Sequence, residues 1–455
     1  MIMTGLRPLA LVASLLVGSV LGREITEEDR GWWAFQPLAD AVPPELEQDA
    51  WSRNPIDQFV LKRLRGEGMA PAPEADRRTL VRRLYLDVVG MPPTPEEVER
   101  FVSDLSQDAW ELLVDRLLDD QRYGEHWGRH WLDLVRYSES DGWNQDAYRP
   151  HIWRYRDYVV KAFNADKPYP TFVREQLAGD ELPGDDPEHL TAAGFLRLGI
   201  YEYNQRDARG LWNDIMNEKT DVAGDVFLGM SMACARCHDH KFDPILQRDY
   251  FKLRAFFDPV VWRDDLVAAT VAEKVAHQAQ QEVWEQASQE VRERIAQLEA
   301  PYRKRKWKST VAKFPLDIQA CFHRPVPERS SLDHQMAYLV SRQFLEEGGG
   351  PFKSLSKEDE REHQALKKEL ATFDHLKPKA LPKVMTVTDF AGTLSPTVIP
   401  DKRAANPVVP GVLTVLSGDP DASLPLPDVP QSSGRRTALA KWIGANDNPL
   451  SPRVM

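Results

Sequence analysis

Cysteine is scarce, with three residues in 455, and so few cannot frame a chain of this size with disulfides. A basic excess is missing as well. Lys and Arg total 58 against 70 Asp and Glu, a formal charge of -12. Nucleic acid is therefore not an expected partner, because a phosphate backbone rewards clustered positive charge. The sequence has no nucleophile elbow, phosphate-binding glycine loop, dinucleotide fingerprint or zinc-protease motif. It also lacks an internal repeat. What remains is an ordinary globular composition, 42% apolar and 28% charged, which excludes a membrane-embedded chain, a collagen-like fibre and wholesale disorder. The length favours two or three domains.

The N-terminus reads as an export signal over residues 1–22. Arg7 precedes the uncharged stretch Pro8 to Gly22, rich in Leu, Val and Ala, and Val20-Leu21-Gly22 leads into Arg23-Glu24. That stretch falls short of the roughly 20 apolar residues that span a bilayer. No cysteine near the cleavage point offers a lipid anchor. The expectation is an exported protein, periplasmic or extracellular, with no stable membrane span once the signal is removed.

Hydrophobic spacing predicts a mainly α fold. A Trp/Pro-rich lead covers residues 23–53, and a multi-helix domain covers 54–260. Ile56, Phe59, Val60 and Leu64 recur at helical spacing, as do Leu80, Leu84 and Val88. Thr94 before Pro95-Glu96-Glu97 gives an N-cap, a first-turn proline and two acids at the positive end of the helix dipole. Residues 261–380 read as a helical hairpin region. One long amphipathic helix is expected from Leu266 to Leu298 and a second from Lys357 to Leu376, packed antiparallel. The basic run Arg303 to Lys306 reads as a solvated turn. Residues 381–430 form a Pro-rich linker with short β pieces at Val384–Val387 and Val412–Val415. A final helix from Arg435 to Ile443 lies within 431–455.

The sharpest chemical signal is Cys234-Ala235-Arg236-Cys237-His238, the c-type haem attachment pattern. Two thiols three positions apart suit addition to the vinyl groups on one porphyrin edge, and the next histidine suits the iron. Haem c on Cys234 and Cys237, with His238 as proximal ligand, is the primary reading. A redox-active disulfide or a zinc site adding His240 are the competing ones. His130, four residues after His126 on one helix face, is a candidate distal or second-site ligand. His151, Met230 and Met232 are further ligand candidates, and the two methionines also read as core. Cys321 reads as a buried free thiol. Asp133, Arg136, Asp141, Arg156 and Asp157, among many aromatics, suit either a sugar-directed hydrolytic cleft or a salt-bridge lattice between helices.

Several blocks follow one another along the chain: Asn54 to Asp57, Arg82 to Asp87, Pro92 to Pro95, His130 to Asp133, Arg136-Tyr137, Asp141-Gly142, Tyr155 to Asp157, Phe163-Asn164, Asp166 to Tyr169, Glu175 to Asp180, Val226 to Gly229, Cys234 to Ile245 and Asp249 to Phe251. In these the chain resembles the planctomycete cytochrome-type domain of unknown function, the PSCyt family that pairs with a C-terminal PSD domain. The resemblance implies an exported protein with a haem-c signature and supplies no established reaction. Ser138-Glu139-Ser140 departs from the family's usual alanine and aspartate. Arg435 to Val454 resembles only the opening of a PSD domain, and the chain stops at Met455, as in a truncated product or fragment. The expected function is electron transfer or redox chemistry, with a redox protein or another haem module as partner. The alternative is a carbohydrate-directed hydrolase or binding module for polysaccharide, with a structural zinc or disulfide.

Overall fold

The computed structural model describes residues 23–202, 205–346, 355–400 and 407–454. The expected signal, residues 1–22, lies outside them. The described chain is mainly α-helical, as its periodicity predicts, with two strands of three residues each. Among the described residues no helix is long and apolar enough to cross a membrane.

After the short helix Glu27–Gly31 come α1 (Pro55–Gly66), α2 (Arg77–Val89), α3 (Pro95–Ser103), α4 (Ala109–Leu118) and α5 (Gln121–Leu134). The predicted start of α3 operates as a reciprocal cap: Glu97 N–H donates to Thr94 Oγ1, and Thr94 N–H donates to Glu97. Helices α2 to α4 enclose a small core of Val81, Tyr85, Val89, Phe101, Leu113 and Leu117. Gly90 ends α2 with φ 70°, and a Cβ there would collide with the His126 imidazole on α5.

A second, larger core begins with α5 and continues through α6 (Trp153–Asn164), α7 (Tyr169–Ala178), α8 (Ala208–Leu228) and α9 (Gln247–Arg254). Trp131, Tyr155, Tyr158, Phe172 and Phe227 fill its centre. Strand β1 (Val261–Arg263) pairs antiparallel with β2 (Thr386–Thr388), Trp262 opposite Val387. The expected β piece at 384–387 thus contributes a strand.

Between the strands lie α10 (Val271–Ala287), α11 (Gln289–Val311), α12 (Leu316–His323), α13 (Ser331–Glu346) and α14 (Lys357–Ala371). The single helix expected over 266–298 is divided. Buried Ser288 leaves helical geometry at φ -104° and ψ 12°, and its hydroxyl donates to the Trp284 carbonyl, 2.6 Å away. The antiparallel partnership holds between α11 and α14: Arg294 meets Glu369, Glu299 meets His363 and Tyr302 meets Asp359. The second helix is shorter than expected, and a separate 3₁₀ turn follows at Asp374–Leu376.

The β piece expected at Val412–Val415 is instead a helical turn, Thr414–Ser417. Asp249 on α9 draws Thr414 inward, accepting from its amide at 2.9 Å and its hydroxyl at 2.6 Å. Helix α15 (Arg435–Ile443) has the predicted bounds. It is an integral part of the larger core, to which Val387, Val408, Leu413, Leu439 and Ile443 all belong.

Candidate functional site

The cysteine motif follows α8, and the helix exit determines how it is presented. Gly229 caps α8 with φ 61°, the left-handed position that favours glycine. Met230 N–H then turns back to the Gly224 carbonyl at 3.0 Å. A 3₁₀ turn, Met232–Arg236, buries Met232 and Ala235 and leaves Cys234 facing outward. Cys234, Cys237 and His238 are all exposed, and both thiols are free.

His238 Nδ1 lies 2.7 Å from the Asp239 carbonyl oxygen. A carbonyl can only accept, so Nδ1 carries the proton and Nε2 presents its lone pair. His240 is built differently. It is buried, and its Nδ1 accepts from the amides of Asp243 at 2.8 Å and Phe242 at 3.3 Å. Its own amide donates to Ile245. His240 therefore shapes the loop from Lys241 to Ile245, and Asp243 beside it at 3.3 Å is not needed as an ion-pair partner.

Asp239, unremarked in the sequence, organises the same loop. Its Oδ1 accepts the Gln247 amide at 2.8 Å where α9 begins, and its Oδ2 accepts the Arg23 amide at 2.7 Å. Gln247 Nε2 in turn donates to the Arg236 carbonyl at 3.1 Å. No local pattern signals these contacts: Arg23 lies 216 positions from Asp239, and the Gln247 contacts close an irregular loop.

The remaining candidates do not converge on the motif. Among the described residues, no group of three or more His, Cys, Asp or Glu side chains is gathered to hold a metal ion. Cys234, Cys237, His238 and His240 thus form no such set, and neither does His130. His130 and His126 sit edge to face on α5, 5.1 Å between ring centroids. Burial lowers the His126 pKa, with further contributions from His130 and Arg129. Burial also lowers that of His151, helped by Arg154. Met232 is fully buried and Met230 packs against the larger core. Cys321 is buried and free, its thiol pushed up to about 11 by burial and by Asp333.

Of the acidic and basic side chains near the aromatics, Asp133 is exposed and the others are engaged with neighbouring charges. Buried Asp141 holds Arg149 at 2.9 Å through Oδ1 and Arg342 through Oδ2. Arg156 pairs with Asp157 and Glu139. Arg136, at φ 57°, approaches Glu218 at 3.6 Å. These pairs form a salt-bridge lattice, and Asp157 also lines a cavity of about 250 Å³ with Trp153, Arg154, Lys161 and Glu188. An apolar cavity of about 340 Å³ opens among Trp131, Leu134, Phe163, Tyr169, Phe172 and Val226. The motif residues do not line it.

No curated protein and no solved structure matches the chain. Residues 55–261 match the model of the family PSCyt2, described as a protein of unknown function (DUF1549). The match supports a PSCyt-type domain of unknown function over those residues, and the cysteine motif lies inside them.

Proposed function

We propose that this is an exported c-type haem protein with an electron-transfer or redox role. The observation that carries the reading is the state of Cys234-Ala235-Arg236-Cys237-His238: two free, exposed thiols beside a histidine whose Nδ1 is engaged and whose Nε2 is not. Cys234 and Cys237 would hold the haem as thioethers, and His238 Nε2 would ligate its iron. Haem supplies one-electron chemistry at iron. The chain's own contribution is orientation: the Asp239 carbonyl fixes the His238 tautomer and strengthens Nε2 as a donor. Attachment at the surface suits exchange of electrons with a redox protein or another haem module. Export rests on residues 1–22. Residues 431–455 read as the opening of a PSD-type segment, on the resemblance of Arg435 to Val454.

The test is the visible spectrum of exported protein from a host with active haem-attachment machinery, recorded after denaturation and acid-organic extraction. Haem that resists extraction, and is missing from Cys234→Ala/Cys237→Ala, is the expected result. A colourless protein from a host that matures a control cytochrome contradicts the reading.

A further inference from the structure

The haem reading leaves one neighbour of the motif unexplained. Arg23 lies on the cysteine loop although 216 positions separate it from Asp239. Its backbone nitrogen is 2.7 Å from Asp239 Oδ2. Its Nη1 donates to the carbonyls of Phe242 at 2.8 Å and Asp243 at 2.9 Å, while Nη2 pairs with Asp29 at 2.7 Å. Asp29 also closes a reciprocal cap with Thr26, which fixes the short helix Glu27–Gly31. Further along, Arg453 donates to the carbonyls of Ala34 at 2.8 Å and Gln36 at 3.0 Å. Residues 23–36 are therefore a strap tied at both ends, and one of its anchors is the loop that carries His238.

We infer that Arg23 becomes the mature N-terminus and that its α-ammonium group locks the Cys234–Asp243 loop through Asp239, so that leader removal completes the haem-attachment site. This deepens the proposed function and rests on its export half. A leader peptidase adds one water across the Gly22–Arg23 bond. The released leader keeps a Gly22 carboxylate, and Arg23 keeps an amine that is largely protonated near neutral pH. The nitrogen already faces a carboxylate oxygen, so cleavage converts a neutral amide bond into a charge-assisted pair. Such pairs are shorter and about twice as strong as neutral hydrogen bonds. Asp239 distributes that constraint. One carboxylate oxygen takes Arg23, the other takes the first amide of α9, and its carbonyl takes the His238 Nδ1–H. Asp239 is thus a positioning residue for the proposed iron ligand, and Arg23 is its partner.

The test uses the full chain exported with its own leader, in the native form and as haem-free Cys234→Ala/Cys237→Ala. Each is compared with Asp239→Asn and with a variant carrying two serines inserted between Gly22 and Arg23. The insertion moves the ammonium away but keeps the Arg23 amide and guanidinium. Mass spectrometry reads the mature N-terminus, and hydrogen exchange reads the amides of residues 237–243. The expected result is a native chain beginning at Arg23, with exchange in that loop at least about tenfold faster in either variant, with or without haem. The yield of covalent haem should also fall several-fold. A native chain beginning elsewhere, or loop exchange indifferent to the insertion, overturns the inference. The two readings fail separately. A colourless native protein with the expected exchange pattern removes the haem and leaves the strap. Attached haem with indifferent exchange removes the strap alone.

Discussion

Arg149 and Arg436 are fully buried, whereas Cys234, Cys237 and His238 stand in solvent. Arg436 crosses from α15 to the end of α7, with Nη1 2.7 Å from Asp180 and Nη2 3.0 Å from Glu181. Burial is the main influence raising the Glu181 pKa, and Arg436 opposes it. In this region charged groups are paired with one another and fasten distant parts of the chain. In the cysteine loop both thiols and His238 are exposed, Arg236 reaches the Cys237 thiol, and the anchoring falls to His240, Asp239 and Gln247. The contrast separates groups that hold the fold from groups left open for chemistry, and it does so by neighbours rather than by residue type.

The strongest way to break this contrast is Arg436→Ala. It strands two buried carboxylates without their cation and should cost about 3–5 kcal/mol in urea denaturation. A loss below about 1 kcal/mol would mean that the buried lattice is not holding α15 to α7. Lys219 offers a pH-dependent version. Burial lowers its pKa to about 8, below the unfolded value of 10.5. Between those values the unfolded chain binds more protons, so stability rises with pH across that window. The native protein should gain up to about 3 kcal/mol relative to Lys219→Met between pH 7 and pH 10.5.

Asp333 has the opposite sign. Burial favours its neutral form, but hydrogen bonds from Ser330, Cys321 and Arg324 outweigh that and hold the carboxyl at about 2. Its contribution is present above the unfolded value of 3.8 and disappears as pH falls through the folded value. Relative to Asp333→Asn, acidification from pH 5 to pH 2 should remove up to about 2 kcal/mol, read from thermal melts at each pH. The smallest effect belongs to the motif itself. In haem-free protein, Cys234→Ala/Cys237→Ala should change stability by less than about 0.5 kcal/mol, because both thiols are exposed. A loss of several kcal/mol would make them structural.

The sequence made local features legible and concealed distant ones. Thr94, Pro95 and Glu97 announce α3 because a cap and its partner lie three residues apart. Helix α15 also has its expected bounds, although Gly434 at its start supplies no side-chain cap. The break at Ser288 is not, because an alanine-rich run without glycine or proline has no stop signal and the serine turns on its tertiary burial. Thr414 joins a helical turn because of Asp249, 165 positions away. The candidate site divides likewise. Cys234, Cys237 and His238 are close together and visible, while Asp239 acts through Gln247 across an irregular loop and through Arg23, which only the fold brings near.

The central claim is that the exposed motif exists to receive haem. Intact mass of the exported protein under denaturing conditions tests it most directly, in a host with active haem-attachment machinery. The account predicts a mature chain heavier by one covalently bound haem, with that increment lost in Cys234→Ala/Cys237→Ala. A native chain at its bare polypeptide mass, beside a control cytochrome carrying its haem, would contradict it.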